Sequence, residues 1–267
     1  MLVGLTPSEG EAKTQYIRYG WAMREAAISI MQMRTCTVAH RLIVIAMMLY
    51  DIVELHDGGR ADDIPETIDY YLAGTYGERF MAEFNDIEPN EEISLKMNTQ
   101  MYFIFMQRAG AALYPVFAEL MGNFNRHKEE IGATVFEEGG GKDYYVFYAY
   151  ITQLMSQHWG DFLARWEHVL ENYLVNFMFS EVFPLKYHHK GLNPYHHLFI
   201  LVEQYVLAKM LLCGNYNHEE GFSKQYITRV ISEVAQLNQH STDPLSIAEN
   251  YRNAGVDCPA HLYYLVI

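Results

Sequence analysis

Ser223-Lys224-Gln225-Tyr226-Ile227-Thr228-Arg229-Val230-Ile231-Ser232-Glu233-Val234-Ala235-Gln236-Leu237 decides the fold class. Tyr226, Ile227, Val230, Ile231, Val234 and Leu237 recur at spacings of three and four, so they share one face of a helix, and the polar residues take the other. Ser223 stands where a helix N-cap belongs.

The same period runs outward in both directions. Upstream, Ala12 to Met33 places Tyr16, Tyr19, Ala22, Met23, Ala26, Ala27 and Ile30 on one face. Thr37 can cap a helix from Val38 to about Leu55, which the Gly58-Gly59 pair breaks. Pro65 suits the first turn of a third helix ending near Phe84. A fourth starts near Glu92, and Pro115 must kink or end it. The polar segment Asn123 to Gly141, closing on Gly139-Gly140-Gly141, reads as a mobile loop or internal boundary. Asp143 caps the next stretch, Gly160 is a point of interruption, and a helix from Asp161 to about Phe179 stops before Val182-Phe183-Pro184. Asn193-Pro194 opens a helix reaching Cys213, with Gly214 as its stop. Asp243-Pro244 opens a last short helix that Gly255 closes. Only Leu262 to Ile267 hints at strand alternation, too briefly to decide, and no fixed repeat occurs. The expectation is an all-α fold, an irregular bundle of about eight or nine helices. It forms one helical domain over 1–267, or two subdomains, 1–122 and 143–267, divided near 123–142.

Composition narrows the function. The chain has 267 residues, half of them hydrophobic, enough to bury a sizeable core. Its 33 acidic against 19 basic residues give a net charge of −14, which argues against nucleic acid as a partner. Twelve Asp/Glu and two Arg between Glu54 and Glu92 carry −10 of that charge. The stretch is either a solvated acidic face or a surface for a lysine-bearing protein. The longest apolar run, Leu42 to Tyr50, is nine residues, against about 20 for a membrane span. The first thirteen residues carry no signal-peptide pattern. Cys36, Cys213 and Cys258 are scattered, which suits a reducing compartment, so a cytoplasmic protein without membrane association is expected.

Local motifs are weak. His188-His189 and His196-His197 suggest a metal site, but no Asp, Glu or Cys lies between the pairs, and no metal is expected. Gly139-Gly140-Gly141-Lys142 fails the phosphate-loop spacing. Cys36 and His40 could share a helix face as a catalytic pair, although a buried structural cysteine is the commoner arrangement. The many methionines read as core filling or as an adaptable groove.

Leu170 to Phe179, LENYLVNFMF, followed by Val182-Phe183-Pro184, resembles a segment of the flagellin lysine N-methylases, in which an E-N-Y-L-x-N-[YF]-x-F run precedes a turn containing F-P. The helices Leu198 to Gly214 and Ile227 to His240 follow in the family's order, and Arg41-Leu42 within Ile30 to Tyr50 matches an upstream Arg-Leu pair. The resemblance implies transfer of methyl groups from S-adenosylmethionine to flagellin lysines. It also implies an iron–sulfur cluster held by a cysteine-rich N-terminal portion. This sequence has no cysteine cluster and so no cluster ligands, and it is expected to be the C-terminal helical portion without that part. Flagellin is the expected protein partner, and a non-catalytic helical interaction module is the alternative. No catalytic residue is fixed. On a helix, Leu170, Tyr173, Leu174, Phe177 and Met178 form an apolar stripe, while Asn172 and Asn176 lie one turn apart with Glu171 at their edge. Glu171, Asn172, Tyr173 and Asn176 are therefore the candidate substrate-binding residues. The alternative role for the amides is to tie neighbouring helices to backbone.

Overall fold

The computed structural model describes residues 16–74, 114–135, 143–216, 221–240 and 244–266, with scattered positions between 76 and 106. Nine α-helices and no strand occur among the described residues. They are α1 (Tyr16–Met31), α2 (Val38–Asp57), α3 (Ile64–Leu72), α4 (Pro115–Val135), α5 (Asp143–Ser180), α6 (Pro194–Gly214), α7 (Lys224–His240), α8 (Pro244–Ala254) and α9 (Pro259–Val266).

Local chemistry sets the helix starts. Thr37 accepts from His40 N at the head of α2, Asn193 from His196 N at α6, and Ser223 from Tyr226 N at α7. Each occupies one of the orphan amides that a helix N-terminus leaves. Gly255, at φ 92°, closes α8 in the left-handed region.

Several expectations are corrected or settled. Pro115 opens α4, where its missing N–H costs no helical hydrogen bond, and the residues just before Tyr114, where the fourth helix would end, lie outside the described residues. The polar stretch from Asn123 is helical as far as Val135, because Val116, Phe117, Leu120, Met121 and Phe124 give α4 a buried stripe. Its glycine run, 139–141, lies outside the described residues. Gly160 does not interrupt α5, a continuous helix of 38 residues and about 57 Å. Trp159 and Phe162 are buried on either side of it, and packing of that kind outweighs the roughly 1 kcal/mol that one glycine costs a helix. Leu262 to Val266 is helical, not extended. The third helix ends at Leu72, ahead of Gly74 at φ 71°, and the fourth helix's start near Glu92 lies outside the described residues.

Helix α6 is the centre of the bundle, packed against α2, α4, α5, α7, α8 and α9. Of its 21 residues, 19 are buried. It is long and apolar enough to cross a membrane, but 94% of that apolar window is buried inside the fold, as suits a helix wrapped by others. Gly214, its last residue, lets α4 approach: a Cβ there would stand 2.3 Å from Leu120 Cδ1. Within 54–92, Glu54, Asp57, Asp62, Glu66 and Asp69 are exposed, and Asp63 pairs with Arg60. The acidic residues from 78 to 92 lie outside the described residues.

Candidate functional site

The sequence-predicted residues sit in the last third of α5 and face different ways. Glu171 is buried. Its carboxylate accepts from Arg34 Nη2 at 2.7 Å and Nε at 3.0 and 3.1 Å, and from Arg41 Nη1 at 2.7 Å. Arg41 is itself buried and donates to Met31 O at 2.5 Å, while Glu167 Oε1 accepts from Val38 N at 2.6 Å. This network closes the α1–α2 turn onto α5. Arg34's hydrogen bonds hold the Glu171 carboxyl below the usual range, helped by Arg41 and opposed by burial.

Tyr173 donates its hydroxyl to Gln204 Oε1 at 2.9 Å, joining α5 to α6, and burial raises its pKa. Asn172 and Asn176 are exposed on the opposite side of α5. The four residues therefore split into an inward ionic tie, a helix–helix tie and an outward pair of amides. Those amides lead one turn on to Phe179, which is 54% exposed. There Arg24 lies over the rings of both Phe179 and the exposed Trp21 and donates to Phe179 O at 2.8 Å.

The other sequence candidates do not converge. His40 Nδ1 lies 2.6 Å from Thr37 Oγ1, and burial raises the Cys36 thiol, the reverse of nucleophile activation. His197 is buried between the Phe183 and Tyr187 rings, and burial pushes its pKa down to about 4. His196, also lowered to about 4 by burial, faces Phe199. His188 sits at Tyr16 on another element.

A cavity of about 430 Å³ opens where α5, α6, α8 and α9 meet, and Met97 and Met101 contribute to its wall. Trp159, Met155, Met210 and Tyr251 line it with Lys209. Lys209 is almost wholly buried, 5.5 Å from the Trp159 ring centroid, with Nζ donating to Val266 O at 3.2 Å. Burial lowers its pKa to about 8. The Tyr251 hydroxyl, also buried, has no hydrogen-bond partner among the described residues. Glu203, two turns before Met210 on the same side of α6, lies within electrostatic reach of Tyr251, and burial raises its pKa to about 8. An apolar pocket with a few convergent polar groups of shifted pKa is the usual form of a small binding site.

The family model described as FliB lysine N-methylase C-terminal domain matches residues 24–265. The chain belongs to that family. No curated protein and no solved structure matches it. All elements that form the cavity and the Glu171 network lie within or overlap the matched span. Thus the FliB C-terminal domain here is a helical bundle that wraps one apolar helix and holds a lysine inside.

The cavity was absent from the sequence reading, although a signal existed. Within the apolar run Leu198 to Gly214, Glu203, Gln204 and Lys209 are the polar exceptions. A charged residue in an otherwise buried helix demands a partner or a purpose.

Proposed function

We propose that this FliB-family chain is the C-terminal helical portion of a lysine N-methyltransferase that modifies flagellin with S-adenosylmethionine, and that it recognises flagellin. The family match over residues 24–265 carries this reading. Three free cysteines without pairing suit a reducing compartment, so the reaction belongs to the cytoplasm.

The cavity under Trp159 supplies chemistry that suits a target lysine. Methyl transfer needs a neutral amine, because an ammonium has no lone pair. Apolar walls disfavour the charged form, and a second cation nearby disfavours it further. Met97, Met101, Met155 and Trp159 offer an aliphatic stem apolar contact, and Lys209 stands as the nearby cation. Outside the cavity, Asn172 and Asn176 offer amides to a peptide backbone beside the exposed rings of Trp21 and Phe179.

The residues present do not fit the implied cofactors. Cys213 is buried in α6, far along the chain from Cys36 and Cys258, and three thiols cannot furnish the four ligands of an iron–sulfur cluster. Among the described residues, no acidic side chain lines the cavity to take the donor's ribose hydroxyls or ammonium. Both groups belong to the complete enzyme.

The test incubates purified chain with S-adenosylmethionine and flagellin, then reads methyl-lysine by peptide mass spectrometry and flagellin retention on immobilised chain. Retention without methylation supports recognition by a non-catalytic module, and retention with methylation supports a self-sufficient enzyme. If neither retention nor methylation occurs, the flagellin assignment falls.

A further inference from the structure

Among the described residues, outside the cavity and the Glu171 network, one cluster joins three metal-ligating side chains. Asp257, Cys258 and His261 lie at the head of α9, each offering one ligand atom, and these atoms all fall within 4.8 Å of one another. Cys258 is the residue before Pro259, and its carbonyl accepts from His261 N at 3.1 Å, so the first turn of α9 holds Cys258 and His261 together. Asp257 Oδ1 stands 2.8 Å from His261 Nδ1, and Asp257 N donates to the same nitrogen at 3.4 Å. One imidazole nitrogen cannot be both a proton donor to the carboxylate and an acceptor from the amide, so the protein's own hydrogen bonds compete for it.

A second observation comes from the core side. Tyr195, in the first turn of α6, is buried, and its hydroxyl has no hydrogen-bond partner among the described residues. It lies within electrostatic reach of both Cys258 and Asp257. Tyr50, whose ring meets Tyr195 edge-on at 5.4 Å, feels the same two groups. A buried hydroxyl without a partner among the described residues thus lies near two of the three ligands.

We propose that Asp257, Cys258 and His261 form a binding site for a zinc ion. Thiolate, imidazole and carboxylate together are a borderline-soft donor set that favours zinc over magnesium or calcium. The two anionic ligands balance the ion's charge. Ligand bonds of about 2.0–2.3 Å put tetrahedral donors roughly 3.3–3.7 Å apart. The Asp257–His261 pair, at 2.8 Å, is closer than that, so it must part by about half an ångström. Asp257 has a side chain 81% exposed, which gives it that freedom and gives the ion a way in. Three protein ligands leave a fourth position open to water, the pattern of reactive zinc sites. The ion fixes the start of α9, and the far end of that helix presents Leu265 to the cavity and Val266 O to Lys209.

No metal was expected, because the histidine pairs of the sequence, His188-His189 and His196-His197, lie far along the chain from this cluster. The three ligands lie within five residues but straddle a loop–helix boundary, where only the turn of α9 brings them together.

The experiment uses the untagged chain, freed of metal by chelator and titrated with cobalt as a spectroscopic stand-in for zinc. The expected result is one equivalent of cobalt with a thiolate-to-metal charge-transfer band and d–d bands of tetrahedral intensity, displaced by zinc. Cys258→Ser must abolish the band while keeping the fold, since serine is a good N-cap. His261→Ala must abolish it too, and Cys36→Ser must leave it intact. Zinc must raise the melting temperature of the wild type and leave that of Cys258→Ser unchanged. Absence of a thiolate band, or a band that survives Cys258→Ser, overturns the proposal.

Discussion

Replacing Glu171 by alanine tests whether the α1–α2 turn is held to α5 by a buried ion pair. Arg41, with a side chain 1% exposed, then loses the carboxylate at 2.7 Å. Removing one partner of a buried pair costs about 3–5 kcal/mol, because the other charge stays desolvated. Arg41 keeps Met31 O at 2.5 Å and Glu167 at 3.5 Å, so the lower end, about 3 kcal/mol, is expected. For a chain of this size, that corresponds to a melting temperature lower by roughly 6–12 °C. Arg34→Ala should cost far less, since Arg34 is 68% exposed and water replaces its partner. The pH sense follows from Glu171's depressed pKa. Its contribution is complete above the ordinary carboxyl pKa and disappears as pH falls through the lower folded value. The gap between wild type and Glu171→Ala should therefore narrow on acidification below about pH 4.5. The assay is thermal unfolding followed by circular dichroism across pH. A loss for Glu171→Ala no larger than for Arg34→Ala, or a gap independent of pH, would refute the reasoning.

Three further outcomes follow from the same geometry. Gly160→Ala should stabilise the chain by about 0.5–1 kcal/mol, because a Cβ there meets nothing within 4 Å and the site is mid-helix; a lower denaturant midpoint contradicts this. Gly214→Val should destabilise by about 1–3 kcal/mol, since its Cβ would stand 2.3 Å from Leu120 Cδ1 and 3.2 Å from Ile151 Cδ1, both buried. Glu203→Gln should remove a pH dependence: with a folded pKa raised to about 8, the wild type binds a proton that the unfolded chain has released, so its stability falls as pH rises from about 4.5 to 8. Unfolding midpoints of wild type and variant that run parallel across that window would count against the buried position of Glu203.

What could be read from the sequence follows the range of the interaction. The starts of α2, α6 and α7 were legible because Thr37, Asn193 and Ser223 act on amides two or three residues away. The apolar face of α7 was legible because one helix generates it. The continuity of α5 through Gly160 and the helical state of the polar α4 were misread, because both depend on burial against other helices. Glu171 was singled out, yet its partners Arg34 and Arg41 lie 137 and 130 residues away, and no local pattern announces them. Lys209 left a trace as a charge in an apolar run, but its meeting with Trp159, Tyr251 and Val266 O belongs to tertiary packing.

The central claim is that the cavity receives a flagellin lysine, and Gly160→Leu tests it most directly. Gly160 lines the cavity with open space before it, and leucine suits a helix, so the variant narrows the cavity without disturbing the fold. The measurement is the equilibrium retention of flagellin on immobilised wild-type chain and on Gly160→Leu, repeated with flagellin whose lysines have been acetylated. The account predicts retention by the wild type, and its loss both on narrowing the cavity with leucine and on acetylating the lysines. Equal retention in all three cases would contradict it.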